Sequence, residues 1–367
     1  HSGAEIFDLV IFLLAAMSLV EILIHYQFFD IIRAKLFKLG LTDRQQFVAL
    51  AILVFFLSSI IDNLTATIVS IQISRKFFKD ENLIKVAAGL VIAANAGGAF
   101  SPIGDVTTIM LWLADKFTAM QIIIQGFLPS VTLLLVALAI LAPKIKNTGF
   151  DVKSEIVNKL GKSEWTIITT TFASFSLPLL MTFMDLPPYL GLLIGLGIVW
   201  ILVDSFKRIR PKQTHLTASI EKLIKGTDIA SLKFFVGILL AVGALNSLGI
   251  LELLSESIYG LTPNLTRIIG GNIGLGVLSA VFDNIPLTAI AIDILDTTDP
   301  SLWVLLALTV GTGGSLLVIG SAAGVIAMGM VKELTFGRYL RYAMIPALFG
   351  FVAACGVWGV QHYLFFQ

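Results

Sequence analysis

Ile60-Ile61-Asp62-Asn63-Leu64-Thr65-Ala66-Thr67 returns late in the chain as Val281-Phe282-Asp283-Asn284-Ile285-Pro286-Leu287-Thr288. Each copy sets an Asp-Asn pair between two apolar arms, and Thr67 meets Thr288 when the pairs are superposed. Further along each half, Asn95-Ala96-Gly97-Gly98 matches Gly311-Thr312-Gly313-Gly314, and Ile103-Gly104 matches Ile319-Gly320. Upstream, Gly40-Leu41-Thr42 matches Gly260-Leu261-Thr262. Self-similarity in a fixed order divides the chain into two structural repeats. Each reads as span, amphipathic arm, broken hairpin, broken helix, span.

The composition places these repeats in a membrane. Of 367 residues, 57% are hydrophobic and 13% charged, where a soluble domain carries about 25% charge. Apolar segments fall at 5–25, 47–61, 66–74, 83–94, 106–114, 121–142, 163–184, 189–205, 229–247, 265–282, 286–295, 302–311, 320–331 and 343–366. Several match the ~20 residues that a crossing needs. Others are short: 47–61 offers about 22 Å of helix against a core of about 30 Å. Short apolar pieces interrupted by polar or glycine-rich ones predict re-entrant hairpins and discontinuous helices. The expected fold is an all-α polytopic membrane protein. Trp112, Trp165, Trp200, Trp303 and Trp358 fall near span ends and read as interface anchors. The single Cys355 excludes an intrachain disulfide. No Walker motif, dinucleotide fingerprint or nucleophile constellation fits, so no enzyme, cofactor, nucleotide or nucleic acid is expected.

Basic residues set the sidedness. Let each Asp-Asn hairpin enter and leave on one face, and let each Gly-Gly segment be one broken crossing. The loops near 26–46, 75–85, 143–162, 206–227 and 332–342 then share a face and carry 22 of the 25 Lys and Arg. The other face receives Lys116 and Arg267 alongside Glu252, Glu256, Asp293, Asp296 and Asp299. The positive-inside rule makes the basic face cytoplasmic, in what we expect to be a bacterial inner (plasma) membrane. The first hairpin then enters from the cytoplasm and the second from outside, which is an inverted-topology repeat. The expected parts are a scaffold helix and arm (1–44), a transport part with hairpin, broken helix and span (45–142), and a cytoplasmic linker (143–162). The second repeat follows with scaffold helices and arm (163–262) and its own transport part (263–367). Three spans precede the second hairpin and one precedes the first, so about two N-terminal spans are expected to be missing from this chain.

Charges at mid-membrane need a reason, since each costs about 2.5–3.5 kcal/mol even on a lenient scale. Asp62 and Asp283 sit at the hairpin turns, and Asp105 starts the second half of a helix interrupted by Gly97, Gly98 and Pro102. Capping of the following helix is the plain explanation for each, but Asn, Ser or Thr caps without a charge. Carboxylate and carbonyl oxygens suit hard cations. Burial also disfavours a carboxylate's charged form, so a proton and a sodium ion compete for it. That competition suffices for exchange. The expected ion site is Asp62, Asn63, Thr65, Thr67, Asn95, Gly97, Ser101, Asp105, Thr107, Asp283, Asn284, Thr288, Gly313 and Ser321, with sodium held by Asp62, Asp105 and Asp283. Gly97-Gly98 and Gly313-Gly314 equally suit close helix packing. Glu21 and His25, one turn apart, are candidates for proton relay or pH sensing.

The stretches Asp62–Thr67, Asn95–Thr108, Phe282–Thr288 and Gly311–Gly324, together with Val20-Glu21, resemble the NhaD-type sodium/proton antiporters of the ion transporter superfamily. The resemblance covers nearly the whole chain. It implies export of sodium and lithium in exchange for protons, a homodimer, and a scaffold domain beside a moving transport domain. The alternative is a sodium-coupled carrier of dicarboxylate, citrate or another anion from the same superfamily. Such carriers tend to have Ser-Asn-Thr where this chain has Asp62-Asn63 and Asp283-Asn284, and three carboxylates oppose an anion site.

Overall fold

The structure, a computed structural model, describes residues 3–148, 160–209, 229–260 and 264–366. His1, most of the 143–162 linker, most of the 206–227 loop, and Leu261 and Thr262 of the Gly-Leu-Thr match lie outside the described residues. Among those described, every regular element is helical. Among the described residues, six helices are long and apolar enough to cross a membrane: Ile6–His25, Asp43–Ile61, Ala119–Lys144, Lys162–Phe183, Pro188–Ile209 and Phe336–Phe365. A seventh candidate, Val236–Ser247 with Ile250–Tyr259, is bent by 89°.

Two compact units divide the chain. The first takes the described residues of His1–Gly40 and Lys153–Gly237. It holds α1 (Gly3–His25), α2 (Phe28–Lys38), α8 (Lys162–Ser174), α9 (Leu177–Phe183) and α10 (Pro188–Ile209). Helix α10 packs on α1, α8 and α9. Phe28 of α2 meets Phe172 of α8 at 4.8 Å between ring centroids. The 163–184 segment breaks at Phe175-Ser176, just before Pro178, whose missing N–H favours a fresh helix start. Helix α11 (Ile229–Ser247) runs across the boundary between units.

The second unit takes Leu41–Val152 and Ile238–Gln367. In it, α3 (Asp43–Ile61) and α4 (Asn63–Phe77) pack on each other and both on α5 (Asp80–Gly98). Helices α6 (Val106–Leu113) and α7 (Ala119–Leu141) follow. The second half supplies α12 (Ile250–Tyr259), α13 (Leu265–Leu278), α14 (Asn284–Ile294), α15 (Pro300–Gly313), α16 (Ala322–Met330), α17 (Phe336–Tyr339) and α18 (Ile345–Phe365). Helices α5 from Ile84 and α15 from Ser301 are buried on every face. The halves exchange partners: α16 packs on α4, and α6 packs on α14.

Two expectations change. Helix α3 has 19 residues rather than the 15 of its apolar run, because Thr42 caps it in a capping box with Gln45 and so starts the helix at Asp43, four residues before the run. Its length is about 28 Å, enough to cross. Trp165 and Trp200 are exposed, but Trp112, Trp303 and Trp358 are core residues. The indole of Trp303 donates to the Thr297 carbonyl at 3.0 Å and that of Trp358 to the Ser301 carbonyl at 3.1 Å. An internal acceptor lets an indole be buried whole.

Candidate functional site

The two Asp-Asn pairs sit in matched surroundings. Ser58 donates to the Ala94 carbonyl at 2.6 Å, and Ser279 to the Val310 carbonyl at 2.7 Å. A Cβ added at Gly97 would lie 2.0 Å from the Phe55 carbonyl oxygen, and one at Gly313 would lie 1.9 Å from that of Gly276. Phe55 and Gly276 each stand seven residues before the Asp of their pair. Gly97 and Gly313 therefore permit backbone contact that any side chain would block. Asp105 and Ser321 cap α6 and α16 from nearly identical backbones, φ −148° with ψ 149° and φ −144° with ψ 146°.

Asp105 is the centre of the network and is buried. Asn63 Nδ2 donates to its Oδ2 at 2.6 Å. Asn284 Nδ2, from the other half, donates to Oδ1 at 3.2 Å and Oδ2 at 3.3 Å. The Thr107 backbone N–H donates to Oδ1 at 3.0 Å. Asn95 links the halves again: its Oδ1 accepts from Asn63 Nδ2 at 3.1 Å, and its Nδ2 donates to Ser315 Oγ at 2.9 Å and Ser321 Oγ at 3.1 Å. The exchange of partners between α6 and α14 is what brings Asn284 onto Asp105.

The two turn carboxylates differ. Asp62 Oδ1 accepts from the Thr65 N–H at 2.9 Å and Oδ2 from the Thr65 hydroxyl at 2.8 Å. Both oxygens thus cap α4, from a backbone at φ 67°, ψ 154°. That region belongs almost entirely to glycine and costs about 1–3 kcal/mol for other residues. Asp283 holds the matching place before α14 but makes no capping hydrogen bond. Its Oδ1 is buried without a partner. The position matching Thr65 is Pro286, which has neither an N–H nor a hydroxyl to donate. The plain capping explanation therefore covers Asp62 and fails for Asp283.

Other expected residues fall into place around this centre. The hydroxyls of Thr67 and Thr107 are buried and unpartnered. Thr288 donates back to the Asn284 carbonyl at 2.9 Å, and Ser101 to the Ser59 carbonyl at 2.5 Å. Among the described residues, no three His, Cys, Asp or Glu side chains gather as a metal-holding group. Asp62, Asp105 and Asp283 thus do not share one ready coordination sphere. Glu21 and His25 lie on α1, in the first unit. Sequence reasoning missed Ser315 and Gly311 as site residues. A Cβ at Gly311 would stand 3.7 Å from Asp105 Oδ2 and 3.6 Å from Thr107 Oγ1. The Gly311–Gly314 match was the available signal.

Comparison with known proteins fits this geometry. A family model described as citrate transporter (CitMHS) matches residues 4–311. The chain is 37% identical to sodium/proton antiporter 1 of Arabidopsis thaliana over its whole length, covering 64% of that protein. It is 35% identical to sodium/proton antiporter 2 of the same plant, over 99% of this chain and 86% of the relative. It is 34% identical to the Na(+)/H(+) antiporter NhaD of Halomonas elongata, over 95% and 74%.

Proposed function

We propose that this chain, which belongs to the citrate-transporter family and within it to the NhaD-type sodium/proton antiporters, exchanges sodium or lithium ions for protons across a membrane. The chain spans 64% of the length of the first plant relative. It is a multi-pass membrane protein, with six to seven membrane-capable helices among the described residues.

One observation carries the proposal. Asp105 is a buried carboxylate held by an asparagine from each half, with unpartnered oxygens of Thr107 and Asp283 also buried. Oxygen donors around a desolvated carboxylate suit a hard monovalent cation. Asn63, Asn284 and the Thr107 N–H orient the Asp105 carboxylate. Asp283 Oδ1 and the hydroxyls of Thr67 and Thr107 are the acceptors left for an ion. A proton on the carboxylate removes the charge that attracts sodium, and sodium displaces the proton. Binding one ion therefore expels the other.

The fold carries finer proposals. The matched breaks at Asp62 and Asp283 support hairpins that enter from opposite sides, and the segregation of basic residues supports a cytoplasmic face for the 26–46, 75–85, 143–162, 206–227 and 332–342 loops. The division into units supports a scaffold part and a moving transport part; a homodimer and an inner-membrane location are what the resemblance to the NhaD-type antiporters implies. The second reading is a sodium-coupled citrate or dicarboxylate carrier; the family description names citrate, but the antiporter relatives do not favour it. Purified protein in liposomes separates the two. The antiporter reading expects proton efflux on adding sodium or lithium without citrate; sodium-dependent citrate uptake with no proton flux would overturn it.

A further inference from the structure

Glu164 stands where the hydrophobic pattern of α8 asks for an apolar residue. The buried positions of that helix are Ser163, Glu164, Ile167, Ile168, Thr171 and Ser174, one face at helical spacing. Glu164 is 1% exposed, and neither of its carboxylate oxygens has a hydrogen-bond partner. No other buried carboxylate among the described residues leaves both oxygens unpartnered. Position in the first turn brings it the favourable end of the helix dipole, but it bonds none of the free N–H groups there.

The ionisable group that feels its charge is Tyr26, just past the end of α1. Tyr26 is 2% exposed; burial first, and then the charge of Glu164, push its phenol up to about 12. The His25 ring meets Tyr26 edge-on at 5.3 Å, and His25 Nε2 is buried and unpartnered. Glu21 lies one turn before His25 and is half-buried. Among the described residues, no ion pair reaches Glu164. On α2, Arg33 pairs with Asp30 at 3.0 Å and Lys35 is exposed. On α10, Asp204, Lys207 and Arg208 are exposed, and the buried residues near that end are Val199 and Val203. Lys162 of α8 itself is exposed.

A carboxylate out of water without a counter-charge or hydrogen bonds is strongly disfavoured. We propose that Glu164, beside Tyr26, is a second monovalent-cation site of this protein, taking a proton or a sodium ion, carried by a different unit from the Asp105 network. It needs no segment beyond the first unit, and it stands whether or not Asp105 is the transport site.

Infrared spectroscopy of the purified protein in lipid tests it, because a protonated carboxyl and a carboxylate absorb separately and labelling glutamate with carbon-13 distinguishes Glu from Asp. Protein with natural Glu164 and Glu164→Gln protein are titrated with acid in the absence of sodium, and then with sodium at fixed pH. A proton at this site gives a glutamic-acid carbonyl band that Glu164→Gln lacks. Sodium at this site gives a sodium-sensitive glutamate carboxylate band that Glu164→Gln lacks, and one sodium fewer bound per chain. Tyr26→Phe should shift the midpoint of whichever titration responds. Should Glu164→Gln fail to fold, the label on the natural protein and Tyr26→Phe decide the matter. The proposal falls if no labelled band responds to either ion, or if the bands that respond persist in Glu164→Gln or are unmoved by Tyr26→Phe.

Discussion

Two glycines of one helix turn should respond in opposite ways to the same added methyl group. At Gly313 a Cβ would lie 1.9 Å from the Gly276 carbonyl oxygen, inside contact distance to backbone that cannot rotate away. Gly313→Ala forces α13 and α15 apart, an overpacking cost of about 1–3 kcal/mol or more. At Gly311 the nearest atoms to the Cβ are Thr107 Oγ1 at 3.6 Å, Asp105 Oδ2 at 3.7 Å and the Ala99 Cβ at 3.8 Å, all ordinary contacts. Gly311→Ala should fold well and gain up to about 1 kcal/mol from helix propensity. Its methyl, however, fills the space between the Asp105 carboxylate and the unpartnered Thr107 hydroxyl. Loss of one favourable approach to the ion should weaken apparent sodium affinity about tenfold, equal to about 1.4 kcal/mol. Lithium, being smaller, should suffer less. Thermal unfolding in detergent and cation-driven proton flux in liposomes measure both effects. Normal sodium affinity in a stable Gly311→Ala protein would refute the placement of the ion beside Asp105.

Asn63→Ala removes a donor to a charged oxygen, worth about 1.5–3 kcal/mol, so exchange at saturating sodium should drop at least tenfold while the protein still inserts; unchanged flux would show that the bond is dispensable. Pro286→Thr restores at Asp283 the N–H and hydroxyl that Thr65 gives Asp62, and should slow exchange by occupying a free carboxylate oxygen; flux equal to the parent's counts against a role for that oxygen. Asp62→Asn keeps an acceptor for the α4 cap and should retain more exchange than Asp283→Asn, an order that side-by-side flux assays can reverse. Competition between proton and sodium requires apparent sodium affinity to weaken as pH falls, and a sodium KM constant with pH speaks against one shared site.

Much of the second unit was legible from its motifs. The Asp-Asn pairs, the Gly-Gly breaks and the start of α6 at Asp105 are local backbone events, written in glycine, proline and capping residues. The partner exchange was not legible, because no local pattern says that α6 packs on α14 and that Asn284 therefore reaches Asp105. The asymmetry of the two turns was written in the chain as Thr65 against Pro286, and matching the aspartates alone passes over it. Indole burial at Trp303 and Trp358 escaped because it depends on carbonyls offered by the chain near Thr297 and Ser301. Glu164 escaped because it falls inside the apolar segment 163–184, whose overall hydropathy hides a single acid. Its burial comes from packing within the first unit.

The central claim is that the Asp105 carboxylate is where sodium and proton exclude one another. Asp105→Asn preserves shape and the cap on α6 and removes the exchangeable charge, so the purified protein in liposomes measures that claim alone. The account predicts normal insertion and thermal stability with no sodium- or lithium-driven proton flux at any pH. Flux like that of the parent protein from correctly inserted Asp105→Asn would contradict it.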